Sequence, residues 1–118
     1  MDVAGLRLES ADPVRDTRFW RVATGWVDDE RAGSLALRHP SGRGPSLELC
    51  PEPRSKAPGD KNRMHLDVRL ETSDAPADAL AELLDLGGSE LTHGWGPLPW
   101  RVLQDPSGNE LCLLPAPS

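Results

Sequence analysis

From Asn62 to Glu71 the chain alternates between two kinds of residue, with Met64, Leu66, Val68 and Leu70 on one side and His65, Asp67, Arg69 and Glu71 on the other. A period of two predicts a half-buried β-strand whose apolar face packs on helices. The opposite face then presents an imidazole, two carboxylates and a guanidinium to water or to a ligand. Val3 to Glu9 has the same pattern, with Leu6 and Leu8 inward and Arg7 and Glu9 outward. Asp12-Pro13 opens a helix, because Asp caps free N–H groups and Pro suits the first turn. Val14, Phe19, Val22 and Ala23, with Trp20 beside them, form its expected apolar face, and Gly25 stops it. Phe19 and Trp20 read as core residues.

Trp26-Val27 and Ser34 to Arg38 predict a hairpin around the polar turn from Asp28 to Ala32. His39 to Pro45 is a turn by composition. Ser46 to Cys50 is a fourth strand, with Leu47 and Leu49 inward and Glu48 and Cys50 outward. After a Pro-rich, charged stretch comes the strand from Asn62 to Glu71. A second helix follows, capped by Ser73 or Asp74, with Pro76 near its start; Leu80, Leu83, Leu84 and Leu86 form its buried stripe, and Gly87-Gly88 end it. Short strands are expected at Glu90 to Thr92, Trp100 to Gln104 and Glu110 to Leu114, with a tight turn over Asp105 to Asn109.

The two halves echo each other. Val68 to Asp74 matches Leu6 to Asp12 at an offset of 62, Glu110-Leu111-Cys112 repeats Glu48-Leu49-Cys50 at that offset, and Gly87 repeats Gly25. Three blocks in one register indicate duplication of a β-α-β-β-β unit. Two copies are too few for a solenoid, so the halves are expected to pair as one domain. Its boundaries are module one at 1–51, a linker at 52–61 and module two at 62–118.

Composition narrows the possible partners. A net charge of −6 argues against nucleic acid, since binding phosphates needs clustered Lys and Arg. No apolar run is long enough to span a bilayer and no secretory leader is evident, so a cytoplasmic protein is expected. Cys50 and Cys112 have no CxxC spacing and are expected to be free thiols, at least partly buried. Ser107 lacks the His and Asp geometry of a hydrolase, and Gly42-Arg43-Gly44 lacks the Lys and helix of a phosphate loop.

Strand parity collects the candidate chemistry. Val3, Gly5, Arg7 and Glu9, then Glu48 and Cys50, then His65, Asp67, Arg69 and Glu71, then Glu110 and Cys112 all face away from the core. Imidazole with two carboxylates suits a divalent ion such as Fe, Mn, Ni or Zn, which would polarise substrate oxygens while a carboxylate moves a proton. Equally, Arg7 or Arg69 pairs with the carboxylates and leaves a metal-free pocket. Trp95, framed by Gly94 and Gly96, and Trp100 are candidates for a ligand platform at its mouth. His39 and His93 lie in loops with no partner at ligand spacing.

Asp105-Pro106-Ser107-Gly108-Asn109-Glu110 after a Trp-bearing strand, Asn62-Arg63-Met64-His65-Leu66-Asp67, and Asp12-Pro13 ahead of Arg18-Phe19-Trp20 and Gly25-Trp26 together resemble the glyoxalase-like branch of the vicinal oxygen chelate superfamily. The resemblance implies an α+β fold of two tandem βαβββ modules whose curled mixed sheet surrounds a central cavity. It also implies a homodimer acting on a small molecule. In metal-dependent members the first and fourth strands of each module supply the ligands, which assigns the metal to His65, Glu110 and Glu48, with Glu110 and Glu48 also catalytic. Trp95, Trp100, Arg7, Arg69 and Asp67 would contact substrate. The fourth ligand position falls on Val3, which cannot bind a metal. Two functions follow from the resemblance: a metal-dependent lyase or related enzyme acting on a small oxygenated substrate, and a non-enzymatic protein that sequesters a drug or metabolite, like bleomycin-resistance proteins.

Overall fold

The alternating segments become strands whose odd and even residues face opposite ways, and two helices cover the apolar side. The computed structural model describes residues 3–31, 35–52, 65–92 and 99–117. In chain order the elements are β1 (Gly5–Ser10), α1 (Pro13–Thr24), β2 (Val27–Asp28), β3 (Ala36–Arg38), β4 (Ser46–Pro51), β5 (Leu66–Arg69), α2 (Pro76–Asp85), β6 (Ser89–Glu90), β7 (Arg101–Gln104) and β8 (Glu110–Leu114). They build two four-stranded sheets, β1-β4-β3-β2 and β5-β8-β7-β6. In each sheet the first two strands run parallel and the remaining neighbours antiparallel. This is the α+β architecture of two βαβββ modules, and neither sheet closes into a barrel. Of the expected linker only Glu52 is described; residues 53–64, Asn62 to Met64 among them, lie outside the described residues.

One apolar cluster joins the modules. Phe19 and Trp20 from α1, Leu37, Leu47 and Leu49 from the first sheet, Leu83 from α2, and Leu103, Leu111 and Leu113 from the second are all buried in it. The Phe19 and Trp20 rings meet edge to face at 5.5 Å, a favoured aromatic geometry.

The helix faces differ from expectation. In α1, Val14 is 63% exposed and Val22 38%, while Asp16, Thr17, Phe19 and Trp20 are buried. The 3.6-residue period is correct, but the inward stripe runs Asp16, Phe19, Trp20 and Ala23. An acid belongs to it because a polar partner waits inside. In α2, Leu83 is buried and Leu84 is 40% exposed. The N-cap of α2 is Ala75, without a side-chain cap, because Asp74 instead accepts the Glu71 N–H at 2.8 Å and closes the preceding turn. At α1 the cap is as expected: Asp12 accepts from the Arg15 N–H at 3.2 Å, and Gly25 ends the helix at φ 69°.

That polar partner is the turn between β7 and β8. The Ser107 hydroxyl donates to Asp16 and accepts from the Ala11 N–H, while the Asn109 amide donates to the Glu9 carbonyl. The Trp20 indole N–H donates to Asp105 at 2.8 Å. The second module's turn is thereby fastened to β1 and α1 of the first. Ser107, buried and committed to Asp16, has a structural job.

Candidate functional site

Parity along β5, β7 and β8 aims one set of side chains away from the core. A cavity of about 290 Å³ opens on that face of the second sheet, lined by His65, Asp67, Leu91, Thr92, Trp100, Val102, Glu110, Leu111, Cys112 and Leu114. The residues come together because Asp67 lies directly opposite Cys112 in the parallel β5–β8 ladder, and Val102 lies opposite Cys112 on the other side. His65, immediately before β5, places Nε2 3.2 Å from Asp67 Oδ1. Donor atoms of His65, Asp67 and Cys112 all lie within 4.8 Å of one another. Burial pushes the Cys112 thiol above its ordinary pKa, and the negative charge of Asp67 and Glu110 adds to the effect.

The first module presents a different surface. Arg7 faces Glu48 across the β1–β4 ladder. Its Nε and Nη2 both donate to Glu48 Oε1, at 3.0 and 2.6 Å, and the Cys50 thiol approaches the same oxygen at 3.6 Å. The guanidinium's hydrogen bond holds the Glu48 carboxyl below the usual carboxylate range, and Glu48 in turn raises Arg7. Glu48 and Arg7 are not among the residues lining the cavity of the second sheet. Val3 stands ahead of β1 and is 67% exposed.

The repeat does not carry strand pairing from one module to the other. Cys112 lies opposite Asp67, but Cys50 lies opposite Glu9, where an offset of 62 would put Gly5. The first strand of module one is therefore four residues out of the register of its counterpart. The donors expected from the two halves thus sit in two settings, an ion pair on one sheet and a mixed donor group on the other.

Among the remaining candidates, Arg69 donates to the Pro115 carbonyl at 2.9 Å, and Trp100 forms part of the cavity wall. Trp95 and His93 lie outside the described residues. His39 is exposed, its Nδ1 2.7 Å from the Ser41 hydroxyl and its ring edge-on to Trp26. Both cysteines are free and partly buried. Cys112 was absent from the expected ligand set although its signal was present: it follows Glu110 by two residues on one strand, so it shares that face. Leu91, Val102 and Leu114 complete the apolar wall, and only the same parity rule could have pointed to the last two. Among the described residues no helix is long and apolar enough to cross a membrane.

The donor chemistry can be compared with what a divalent metal needs. Val3 offers no donor and Glu48 is committed to Arg7, so the four-ligand arrangement expected across both modules is not assembled. Within module two, imidazole, carboxylate and thiol converge at one end of a partly apolar cavity, and that set does fit a divalent ion.

The chain matches the family described as "Glyoxalase-like domain" over residues 5–114. A sequence search of characterised proteins gives no match. Among solved structures, a glyoxalase/bleomycin resistance protein/dioxygenase family enzyme from Burkholderia phytofirmans PsJN superposes with TM-score 0.74 at 13% identity, covering 99% of this chain and 100% of that one. A glyoxalase-related enzyme from Fulvimarina pelagi gives 0.67 at 18% identity, covering 99% and 89%. The fosfomycin resistance protein FosX from Mesorhizobium loti gives 0.60 at 14% identity, covering 95% and 89%. At these identities the likeness is one of fold.

Proposed function

The chain belongs to the glyoxalase-like domain family within the vicinal oxygen chelate superfamily, and from that premise we propose that the cavity of module two binds a small oxygenated molecule and carries out a divalent-metal-dependent reaction on it, of the lyase or a related type. The observation that supports this is the meeting of His65, Asp67, Glu110 and Cys112 with Trp100 in one hollow. Leu91, Trp100, Val102 and Leu114 bury the carbon frame of the ligand and exclude water, which strengthens the polar contacts at the acidic end. His65 and Asp67 orient one another through their 3.2 Å contact. In this reading Glu110, which lines the cavity, accepts or returns a proton on the bound molecule. A bound divalent metal supplies Lewis acidity toward the ligand's oxygens. On this reading Glu48 acts with Arg7 at the rim of the other sheet rather than as a ligand of the same ion. The chain works as one domain from module one to module two, as a cytoplasmic homodimer.

A second reading has its own observation. The Arg7–Glu48 pair shows the protein neutralising a strand-face carboxylate internally, as a metal-free binder would. The fold is shared by enzymes and by resistance proteins, and in this reading Trp100 and the apolar wall sequester a drug or metabolite. The two readings separate in one experiment. Untagged protein is analysed for metal content and then titrated with small hydroxy-acids, oxo-acids and aromatic drugs, following Trp fluorescence with and without a chelator. Ligand binding that disappears with the metal, and with His65→Ala, supports the enzyme. Binding indifferent to chelation supports the binder.

A further inference from the structure

We infer that His65, Asp67 and Cys112 form a thiolate-containing zinc site within module two alone. The inference deepens the reading above and rests on the same cavity being the working site, but it concerns which ion is held and by which atoms.

Donor type is the first argument. Carboxylate and imidazole by themselves suit Mg, Mn, Fe or Zn alike, whereas a thiolate selects zinc and other thiophilic ions. The second is spacing. Zinc takes nitrogen and oxygen at about 2.0–2.1 Å and sulfur at about 2.3 Å, so donors around a tetrahedral ion are about 3.3–3.8 Å apart. His65 Nε2 and Asp67 Oδ1 are already 3.2 Å apart. One donor atom from each of the three residues lies within 4.8 Å of the others, so reaching tetrahedral spacing takes shifts of about 1 Å, on the scale of small side-chain rotations.

Placement is the third. Asp67 and Cys112 are fixed opposite one another by the β5–β8 ladder, so two of the donors belong to rigid backbone rather than to loops. Three protein donors leave a fourth position open, the arrangement of a zinc centre that handles a ligand. The three donor residues line a cavity that also has Trp100 and Thr92 in its wall, where a ligand would meet a bound ion. Finally, no such set occurs among the described residues of module one. Cys50 lies opposite Glu9 and contacts an Arg7-bound glutamate, so the repeat supplies an internal control in the same chain.

Zinc binding displaces one proton from the Cys112 thiol to solvent as the Zn–S bond forms, with no change of oxidation state. The test uses the full chain, untagged, reduced and stripped with chelator. Cobalt(II) is added and then displaced by zinc. The expected result is a near-ultraviolet thiolate-to-cobalt band with visible bands of tetrahedral intensity at one equivalent. Cys112→Ser abolishes the charge-transfer band and weakens zinc by at least about tenfold, the smallest effect that even outer-shell changes produce at such sites. Cys50→Ser leaves both unchanged. Alkylation of the unmutated protein reads the same point without any variant: zinc should protect Cys112 and not Cys50, as mapped by mass spectrometry. Cobalt binding that lacks the band and survives Cys112→Ser would overturn the thiolate site while leaving a metal-dependent enzyme standing. Failure of both cobalt and zinc to bind would overturn the site together with the metal-dependent reading, and ligand titration of the stripped protein would then show whether the cavity binds small molecules without metal.

Discussion

Replacing Asp105 should test whether the β7–β8 turn is what locks the two modules together. The carboxylate is 2% exposed and accepts four hydrogen bonds: from the Trp20 indole N–H at 2.8 Å, the Ser107 N–H at 3.0 Å, the Asn109 N–H at 2.7 Å and the Asn109 side-chain amide at 3.0 Å. Asp105→Ala strands four buried donors at once, each worth about 1–3 kcal/mol when unsatisfied. Two effects reduce the sum. Water can enter the vacated space, and the substitution relieves the cost of burying the charge. We expect a net loss of about 3 kcal/mol, which for a domain of this length lowers Tm by roughly 10 °C. Asp105→Asn keeps one acceptor and should lose about 1–2 kcal/mol. Urea denaturation of the unmutated protein, Trp20→Phe, Asp105→Asn and the double variant closes a cycle, with an expected coupling of about 1–2 kcal/mol. If Asp105→Ala unfolds within about 0.5 kcal/mol of the unmutated protein, or if the cycle shows no coupling, the turn is not the latch and the modules are held by the apolar cluster alone.

The same carboxylate sets a pH dependence. Burial raises Asp105 above its ordinary value of 3.8, outweighing the hydrogen bonds from Trp20 and Asn109. Between 3.8 and that raised value the folded state therefore holds the extra proton, so this group's contribution to stability improves as pH falls through the window and is lost as pH rises. Comparing Asp105→Asn with the unmutated protein by urea titration across mildly acidic pH should show a gap that narrows toward neutral pH; a gap that widens would reverse the sign. Gly88→Ala should destabilise by about 2–3 kcal/mol, since an added Cβ would meet the Phe19 ring at 2.6 Å and the Leu83 carbonyl at 2.9 Å; an unchanged melting temperature would contradict that close approach. Trp100→Ala should weaken small-ligand binding by about tenfold, seen by calorimetry, while leaving zinc affinity within about twofold; equal loss of both would mean that Trp100 supports the metal donors rather than the ligand.

What could be read from the chain was whatever depends on local alternation. The strands of both modules, Asp12 and Gly25 at the ends of α1, and the inward Leu47, Leu49, Leu111 and Leu113 follow from period, capping and turn chemistry, because these rules act over a few neighbouring residues. The helix faces were less legible. Hydrophobicity assigned Val14, Val22 and Leu84 to the interior, whereas the structure exposes them and buries Asp16. Arg15, next to it in sequence, supplies one charge partner at 2.7 Å. Its other partners, Ser10 and Ser107, come from opposite ends of the chain, so the remaining hydrogen bonds of the acid form only once the turn has docked.

The site repeats this division between local and long-range information. Parity alone put His65, Asp67, Glu110 and Cys112 on a common face, and they do line a common cavity. Assigning a partner across modules required a second assumption, that sequence offset equals spatial equivalence. The four-residue difference in pairing register breaks that assumption: Arg7, rather than a metal donor, meets Glu48. A slip by an even number keeps every side chain on its original face, so the apolar and polar sides of β1 survive it while each cross-strand neighbour changes. Duplicated modules can therefore keep their fold and their outward chemistry and still diverge in which residues touch. In this chain the first module has come to hold an ion pair, and the donor group has gathered in the second.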